Sequence, residues 1–188
     1  TYNIRPGHPR LYITATDYDF NNDGDFNELG EKANLEIIRN KCKTTLLAEY
    51  KALKQYGDDH FNDPIVPTGD AKPLALPNYA LLYKLGYILD PSQYTHTPED
   101  YGNKAKSILL SFAAEELNDY TSDGRAGSWI WPMAVGYDWL YELLSPDERK
   151  LVVDAMVYHN DKQINVSWGA GIYDRPPLHS SAPSQRTF

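Results

Sequence analysis

The stretch from Trp129 to Leu144, WIWPMAVGYDWLYELL, constrains the fold of this chain more than any other segment. At about 3.6 residues per turn, its apolar side chains point nearly all round a helix, which is typical of an inner helix that is packed on every side. Such a helix requires other helices around it. We therefore expect an inner helix whose core-facing side chains are substantially buried: Trp131, Val135, Trp139 and Leu140.

Four further segments carry helical periodicity or helix-start signals, and we expect helices over residues 33–55, 76–89, 97–112 and 145–162. Thr97 precedes Pro98 as a cap, and Ser145 with Glu148 forms a capping box. Pro132 should fit only in the first turn of the aromatic helix. LYIT, at residues 11–14, is the one segment that alternates like a strand. The sequence therefore predicts an all-α fold of helical hairpins packed side by side.

Three regions follow from these patterns. Residues 1–162 form the predicted helical domain, with an acidic loop inserted at 17–31. Residues 163–188 are rich in Gly, Pro and Ser and show no periodicity, which predicts an extended tail or loop. The first residues contain no basic-then-apolar leader, as in a mature chain after export or a boundary chosen for cloning.

Composition excludes several classes of function. The chain has 188 residues, of which 41% are hydrophobic, so it can bury a core and is not intrinsically disordered. Its formal net charge of −8 provides no basic field for nucleic-acid binding. No run of about 18 uncharged apolar residues is present, so we expect no membrane span. The single cysteine, Cys42, excludes an intrachain disulfide and falls on an apolar helix face, where we expect it to be buried.

The acidic loop contains the segment DYDFNNDGDFNELGE, in which oxygen-bearing side chains alternate before a glycine. Alternating carboxylates and amides can converge on a hard cation, and Gly24 permits the sharp turn between them. The twelfth position is Gly30, so an acid elsewhere, Glu28 or Glu31, would have to complete the shell. We expect structural Ca²⁺ here, with a solvated acidic turn as the alternative. The predicted ligands are Asp19, Asn21, Asp23, Asp25 and Glu28.

Several phrases together resemble the amino-terminal helical domain of heparinase II/III-type polysaccharide lyases. They are HPRLYIT, YALLYKLGY, YGNKAKSILLSFA and GYDWLYELLSPDERKLVVDAM, which span residues 7 to about 158. The resemblance implies that the hairpins form part of an incomplete α/α toroid. It also implies a secreted or periplasmic bacterial protein that acts on uronate polysaccharides by β-elimination.

In that family a Tyr or His removes the proton beside the uronate carboxylate, while Asn, His or Arg neutralises the carboxylate. We find no Asn-His pair of the family kind, so the candidates lie in the tail: Tyr173, His179 and Arg175, with Arg186 as a further cation. The aromatic residues of this helix are expected to be chiefly core, with sugar stacking as the alternative for the three nearest its start: Trp129, Trp131 and Tyr137. For Asp138 we expect a structural hydrogen bond to backbone, with catalysis as the alternative.

Two classes of function stay open. The first is the amino-terminal part of a lyase, whose partner is a polysaccharide or other glycan and which is a poor enzyme alone. The second is a non-catalytic, calcium-stabilised helical scaffold or assembly subunit of a secreted structure. A glycoside hydrolase would need two carboxylates that face a cleft. Asp138 and Glu142 are one helical turn apart, but no second positioned acid is identifiable. Inner-helix surface that lacks its partner helices implies self-association or docking with a carboxy-terminal part.

Overall fold

A computed structural model describes residues 7–26, 31–67, 73–114 and 125–168, with the side chains of 125–128 and 159–168 left undescribed. Over these ranges the protein is helical and contains no strand, so the all-α prediction is confirmed. The six α-helices are α1 (Leu35–Lys43), α2 (Leu47–Asp59), α3 (Ala75–Leu85), α4 (Pro98–Ala113), α5 (Arg125–Trp139) and α6 (Pro146–Trp168). Two short 3₁₀ turns, Pro91–Gln93 and Tyr141–Leu143, precede α4 and α6. None of the helices in the described ranges is both long and apolar enough to cross a membrane.

The first predicted helix, residues 33–55, is wrong as a single element because the chain breaks between α1 and α2. Thr44 leaves helical geometry with φ −131° and ψ −94°. Its hydroxyl donates to the Asn40 carbonyl at 2.9 Å, and the Leu46 amide donates to the Lys41 carbonyl at 2.8 Å. The Thr44 side chain thus competes with the backbone for acceptors, which is the usual way that threonine disfavours a helix interior.

Local start signals correctly predicted where α4 and α6 begin, whereas α3 ends at Leu85, short of the predicted end at residue 89. The Thr97 hydroxyl accepts from the Asp100 amide at 3.1 Å, and the Asp100 carboxylate accepts from the Thr97 amide at 2.8 Å. Ser145 and Glu148 form the same reciprocal pair at the start of α6, with distances of 2.7 and 3.2 Å. These boxes satisfy amides that the first helical turn leaves without partners. α6 runs on to Trp168, beyond the predicted end at residue 162.

The aromatic helix begins earlier than predicted. Because α5 starts at Arg125, Pro132 lies in its interior and not in its first turn, so that expectation is wrong. A proline there has no amide to donate to the carbonyl of residue 128. The packing around Pro132, which is buried, offsets this loss.

α3 lies at the centre of the fold and packs against both α4 and α5. Close approach to α5 depends on Gly136, where a β-carbon would lie 2.6 Å from Cδ2 of the fully buried Leu76. Val135, Trp139 and Leu140 are buried as predicted, and so is Cys42. Trp131 is not: its side of α5 faces outward, and the residue is 49% exposed. The expectation that Trp131 is a core residue is therefore wrong.

A buried polar network ties α2 to α4. The Lys54 ammonium donates to the Asp58 carboxylate at 2.7 Å, and the Tyr101 hydroxyl donates to the other oxygen of that carboxylate at 2.5 Å. Lys54 also lies 4.9 Å from the centre of the Tyr94 ring. Burial raises the pKa of Tyr101, and its hydrogen bond to Asp58 raises it further. Each charge in this network has a direct partner, as buried charges require.

Candidate functional site

The amino-terminal segment, residues 7–14, lies over one side of α5 and is held there by Asp138. This carboxylate is 2% exposed and accepts hydrogen bonds from the Arg10 amide at 2.7 Å and the Leu11 amide at 2.8 Å. Its other oxygen is hydrogen-bonded to Nδ1 of His8. The structural role expected for Asp138 is therefore the one observed, with partners 127 to 130 positions away in the sequence.

Two further side chains, those of Trp139 and Asn34, hold the segment around Tyr12 through three hydrogen bonds. The Trp139 indole donates to the Leu11 carbonyl at 2.7 Å. The Asn34 amide group donates to the Tyr12 carbonyl at 2.9 Å, and its oxygen accepts from the Thr14 amide at 2.8 Å. The segment predicted as a possible strand is thus a bent chain that side chains of α5 and the α1 cap fix in place.

Tyr12 itself occupies an unusual backbone conformation. Its φ is +61°, and the Ile13 amide donates to the Leu11 carbonyl at 2.6 Å across it. Such a tight turn at positive φ is strained for a bulky side chain, and glycine would adopt it without the steric penalty. Strain of this kind persists only where surrounding contacts hold it, and it clusters at functional positions.

The strained turn presents Tyr12 to solvent beside Trp131. Tyr12 is 68% exposed and Trp131 49% exposed, and the Trp131 indole donates to the Tyr12 hydroxyl at 3.2 Å. Trp131 precedes Asp138 by seven residues, so both lie on the same side of α5 two turns apart. The amino-terminal segment covers that side at Asp138 and leaves it open at Trp131. We call Tyr12 and Trp131 the aromatic pair.

Behind the segment, a stack of rings supports His8. The His8 ring lies parallel to that of Tyr141, with centroids 3.9 Å apart, and edge-on to Tyr137 at 6.0 Å. The Arg149 guanidinium lies 3.8 Å from the Tyr141 ring centre and donates twice to the Tyr141 carbonyl, at 3.1 and 2.9 Å. Burial raises the pKa of Tyr137, with the nearby Tyr141 adding to the effect.

The residues predicted to stack sugars have three different environments. Trp131 is exposed and forms the aromatic pair, while Tyr137 is half-buried against His8. Trp129 is 2% exposed and lies in the core, so its ring is not accessible for stacking on a ligand. The predicted catalytic residues Tyr173, Arg175 and His179 lie outside the described residues.

The acidic loop is folded around Asp19. Its carboxylate accepts from the Gly24 amide at 2.8 Å and the Asp23 amide at 3.3 Å, and these bonds hold the pKa of Asp19 below its ordinary value, Gly24 contributing most. The Asn21 side chain donates to Asp23 at 2.9 Å. In the described ranges, no three His, Cys, Asp or Glu side chains are grouped as a metal site, and Glu28 falls outside those ranges. Ca²⁺ at this loop, with Asp25 as a further ligand, stays a prediction.

No protein-family model matches the chain, and neither does any curated protein or solved structure. The resemblance to heparinase II/III-type lyases therefore depends on the quoted sequence phrases alone.

Sequence reasoning missed Tyr12 and His8 as parts of this surface. Both lie in the HPRLYIT phrase, which was interpreted only as part of the resemblance to the lyase family. A usable signal was present, because Trp131 and Asp138 share one side of a helix that otherwise points inward. An acid among apolar residues indicates that another segment supplies its hydrogen-bond donors.

Proposed function

We propose that this protein is the glycan-binding helical part of a carbohydrate-active protein and that the aromatic pair is its sugar-stacking platform. The observation that carries the proposal is an exposed tyrosine held at positive φ beside an exposed tryptophan. Aromatic side chains of this kind combine an apolar face with a polar tip, which suits a sugar ring. Because the backbone of Tyr12 would favour glycine, we infer that its side chain is needed for contact.

A cation in the same amino-terminal segment as Tyr12 favours an acidic sugar. The Arg10 side chain is 38% exposed, and its Nε lies 4.0 Å from the buried Asp138 carboxylate, which orients it. A planar guanidinium recognises carboxylates in two-point geometry. On a chain with a net charge of −8, such a local cation supports binding of a uronate-containing polysaccharide over a neutral one.

The finer proposal is that the helices form part of an incomplete α/α toroid belonging to a secreted β-eliminating lyase. In that proposal Tyr173 or His179 removes the proton and Arg175 neutralises the uronate carboxylate. A base must lie within hydrogen-bond reach of the proton that it removes. We expect the isolated chain to bind the polysaccharide and to cleave it poorly, because the quoted family phrases do not include the family's catalytic pair.

Binding is tested by calorimetric titration with oligosaccharides of heparan sulfate, alginate and hyaluronan, with cellohexaose as the neutral comparison. We expect Trp131→Ala and Tyr12→Ala to weaken uronate binding by about tenfold or more, in the range of other stacking contacts. Tyr158→Ala, which removes a tyrosine of α6 that is 44% exposed, is the matched control. Equal affinity in wild type, Trp131→Ala and Tyr12→Ala would remove the basis of the proposal.

Cleavage is tested separately by the ultraviolet absorbance of unsaturated uronate products. Strong elimination by this chain that Tyr173→Phe or His179→Ala abolishes would contradict the expectation of poor activity. It would also place catalysis in the tail.

The alternative function is a calcium-stabilised scaffold. One contact favours it: the Asp17 carboxylate accepts from the Ala33 amide at 2.6 Å and so joins the acidic loop to the start of α1. A cation in that loop would stiffen this junction. Calcium-dependent stability without any glycan binding would favour the scaffold over the glycan-binding protein.

A further inference from the structure

A pocket lies away from the aromatic pair, where the end of α2 and the chain that follows it meet the start of α3 and the second half of α4. Its volume is about 190 Å³. A cavity of about 150 Å³ is large enough to hold benzene, so this pocket has room for one six-membered ring. It shares no residue with the aromatic pair, and the two sites can therefore be tested independently.

The walls of the pocket are mostly apolar. Tyr79, Ile108 and Phe112 are buried and form its floor, whereas Val66 at the rim is 52% exposed. A sugar is a poor match for such walls, because hydroxyl groups packed against them would have no hydrogen-bond partners. Two of the three floor residues carry aromatic rings, which pack well against another aromatic ring, offset or edge-on. The other apolar residues that line the pocket are Pro64, Ile65, Pro73 and Ala75.

The polar side chains in the lining are already bonded within the protein. Nδ1 of His60 lies 2.7 Å from the Asp63 carboxylate, and the Lys104 ammonium donates to the Asp63 carbonyl at 2.8 Å. The Tyr79 hydroxyl donates to the Gly57 carbonyl at 3.3 Å. Besides His60, the ionisable lining holds one carboxylate and one ammonium, so the pocket does not favour an ion of either sign. A neutral ligand fits this balance.

The contact with Asp63 determines what His60 can offer to a ligand. A carboxylate only accepts, so the neutral imidazole carries its proton on Nδ1 and donates it to Asp63. Nε2 then has a lone pair and is an acceptor. The His60 amide donates to the Tyr56 carbonyl at 3.1 Å, and the two rings pack with their centroids 4.6 Å apart. The pocket thus combines an apolar floor with one oriented acceptor.

We propose that this pocket binds a neutral aromatic alcohol, whose ring packs on the apolar floor and whose hydroxyl donates to Nε2 of His60. The volume limits the ligand to a single ring, and the floor favours an aromatic one. His60 requires a donor, which excludes a carboxylate, since that group has no proton to donate at neutral pH. The hydroxyl therefore distinguishes the ligand from a hydrocarbon of the same size.

The test is a titration followed by nuclear magnetic resonance, with phenol as the probe and toluene, benzoate, cyclohexanol and glucose as comparisons. The methyl groups of Ile65, Ala75 and Ile108 report on the pocket, because a bound aromatic ring shifts the resonances of methyl groups beside it. We expect phenol to shift them and to bind about fivefold more tightly than toluene, since one net hydrogen bond is gained. Benzoate and glucose should bind at least about tenfold more weakly than phenol.

Two variants locate the ligand within the pocket. Ala75→Leu fills the space and should weaken phenol binding by about tenfold or more, whereas Ala48→Leu, the same change at an exposed position of α2, should not. His60→Phe keeps a ring and removes the acceptor, so phenol and toluene should then bind equally. Phenol binding to Ala75→Leu as tight as to wild type would overturn the site.

Titrations of the wild-type protein decide the proposal even where a variant does not fold. Phenol that leaves all three methyl resonances unchanged would overturn the site. Equal affinity for phenol and toluene would overturn the hydrogen bond to His60, and cyclohexanol binding as tight as phenol binding would overturn the assignment to an aromatic ring.

Discussion

Removing the Asp138 carboxylate should release the amino-terminal segment from α5. Asp138→Ala leaves the Arg10 and Leu11 amides without their acceptor and removes the partner of His8. Hydrogen bonds to a charged group contribute about 1.5–3 kcal/mol each, and the two amide bonds alone would sum to about 3–6 kcal/mol. Undocking lets water reach the freed amides and limits the loss. We therefore expect destabilisation of about 3 kcal/mol.

Asp138→Asn should have a smaller effect because of the geometry of the three bonds. Both backbone amides donate to the same carboxylate oxygen, and the asparagine oxygen can occupy that position. Its amide group then faces Nδ1 of His8, which can accept in the neutral ring. Only the charge assistance is lost, so we expect about 1–2 kcal/mol. We call Asp138 and its bonds to His8, Arg10 and Leu11 the anchor. If the anchor holds the segment, the free energy of unfolding should be lowest in Asp138→Ala, intermediate in Asp138→Asn and highest in wild type.

Urea denaturation followed by circular dichroism measures the free energy of unfolding, and hydrogen exchange reports the Arg10 and Leu11 amides. We expect both amides to exchange faster in Asp138→Ala than in wild type. Asp154→Ala is the control, because Asp154 is 60% exposed and its ion pair within the described ranges is with Lys150 on the same helix. It should change stability by less than about 0.5 kcal/mol. Unchanged stability and unchanged amide protection in Asp138→Ala would refute the anchor.

Three further predictions concern packing, ionisation and metal. Gly136→Ala should destabilise the fold by about 1–3 kcal/mol in thermal or urea unfolding, because the added methyl group overlaps buried Leu76. The gain in helix propensity, roughly 1 kcal/mol, is smaller than the cost of this overlap. Stability equal to that of the exposed-site control Asn103→Ala would contradict the prediction. Burial raises the pKa of Tyr79 from 10.0 to about 12. The neutral phenol thus stabilises the fold fully below pH 10 and less as pH rises toward 12. The free energy of unfolding from urea denaturation should therefore fall between these pH values, and it should fall less in Tyr79→Phe; the same pH dependence in both proteins would argue against this. Chelator should lower the melting temperature of calcium-loaded protein if Asp19 and its neighbours bind Ca²⁺, and an unchanged value would exclude that site.

The parts of this fold that the sequence predicted are those with local causes. The capping boxes at Thr97 and Ser145 involve residues three positions apart, so their bonds are visible in the sequence itself. The interior position of Pro132 depends on packing that overrides local preference. The break at Thr44 has a local cause, the bond from its hydroxyl to the Asn40 carbonyl, which hydrophobic periodicity does not reveal. Trp131 was misjudged because periodicity shows that a helix is apolar on every side, while only the fold shows which side the rest of the chain covers.

The candidate site was less predictable because its contacts join distant parts of the chain. Asp138 could be identified as a hydrogen-bonded acid, but nothing local indicates that its donors are the backbone of residues 10 and 11. The positive φ of Tyr12 follows from those tertiary contacts and contradicts the alternating pattern of LYIT.

The anchor and the aromatic pair lie along the same side of α5 and are structurally coupled through the amino-terminal segment. Docking at Asp138 fixes Leu11, whose carbonyl also accepts from Trp139, so the turn at Tyr12 starts from a rigid point. Asn34 fixes the residue after the turn. These neighbours stabilise the strained backbone of Tyr12. The hydrogen bond from Trp131 to the Tyr12 hydroxyl is exposed and contributes little to that backbone conformation. Loss of the Trp131 ring should therefore leave the fold intact. Loss of the Asp138 carboxylate should weaken both the fold and ligand binding, because Asp138 fixes the position of Tyr12.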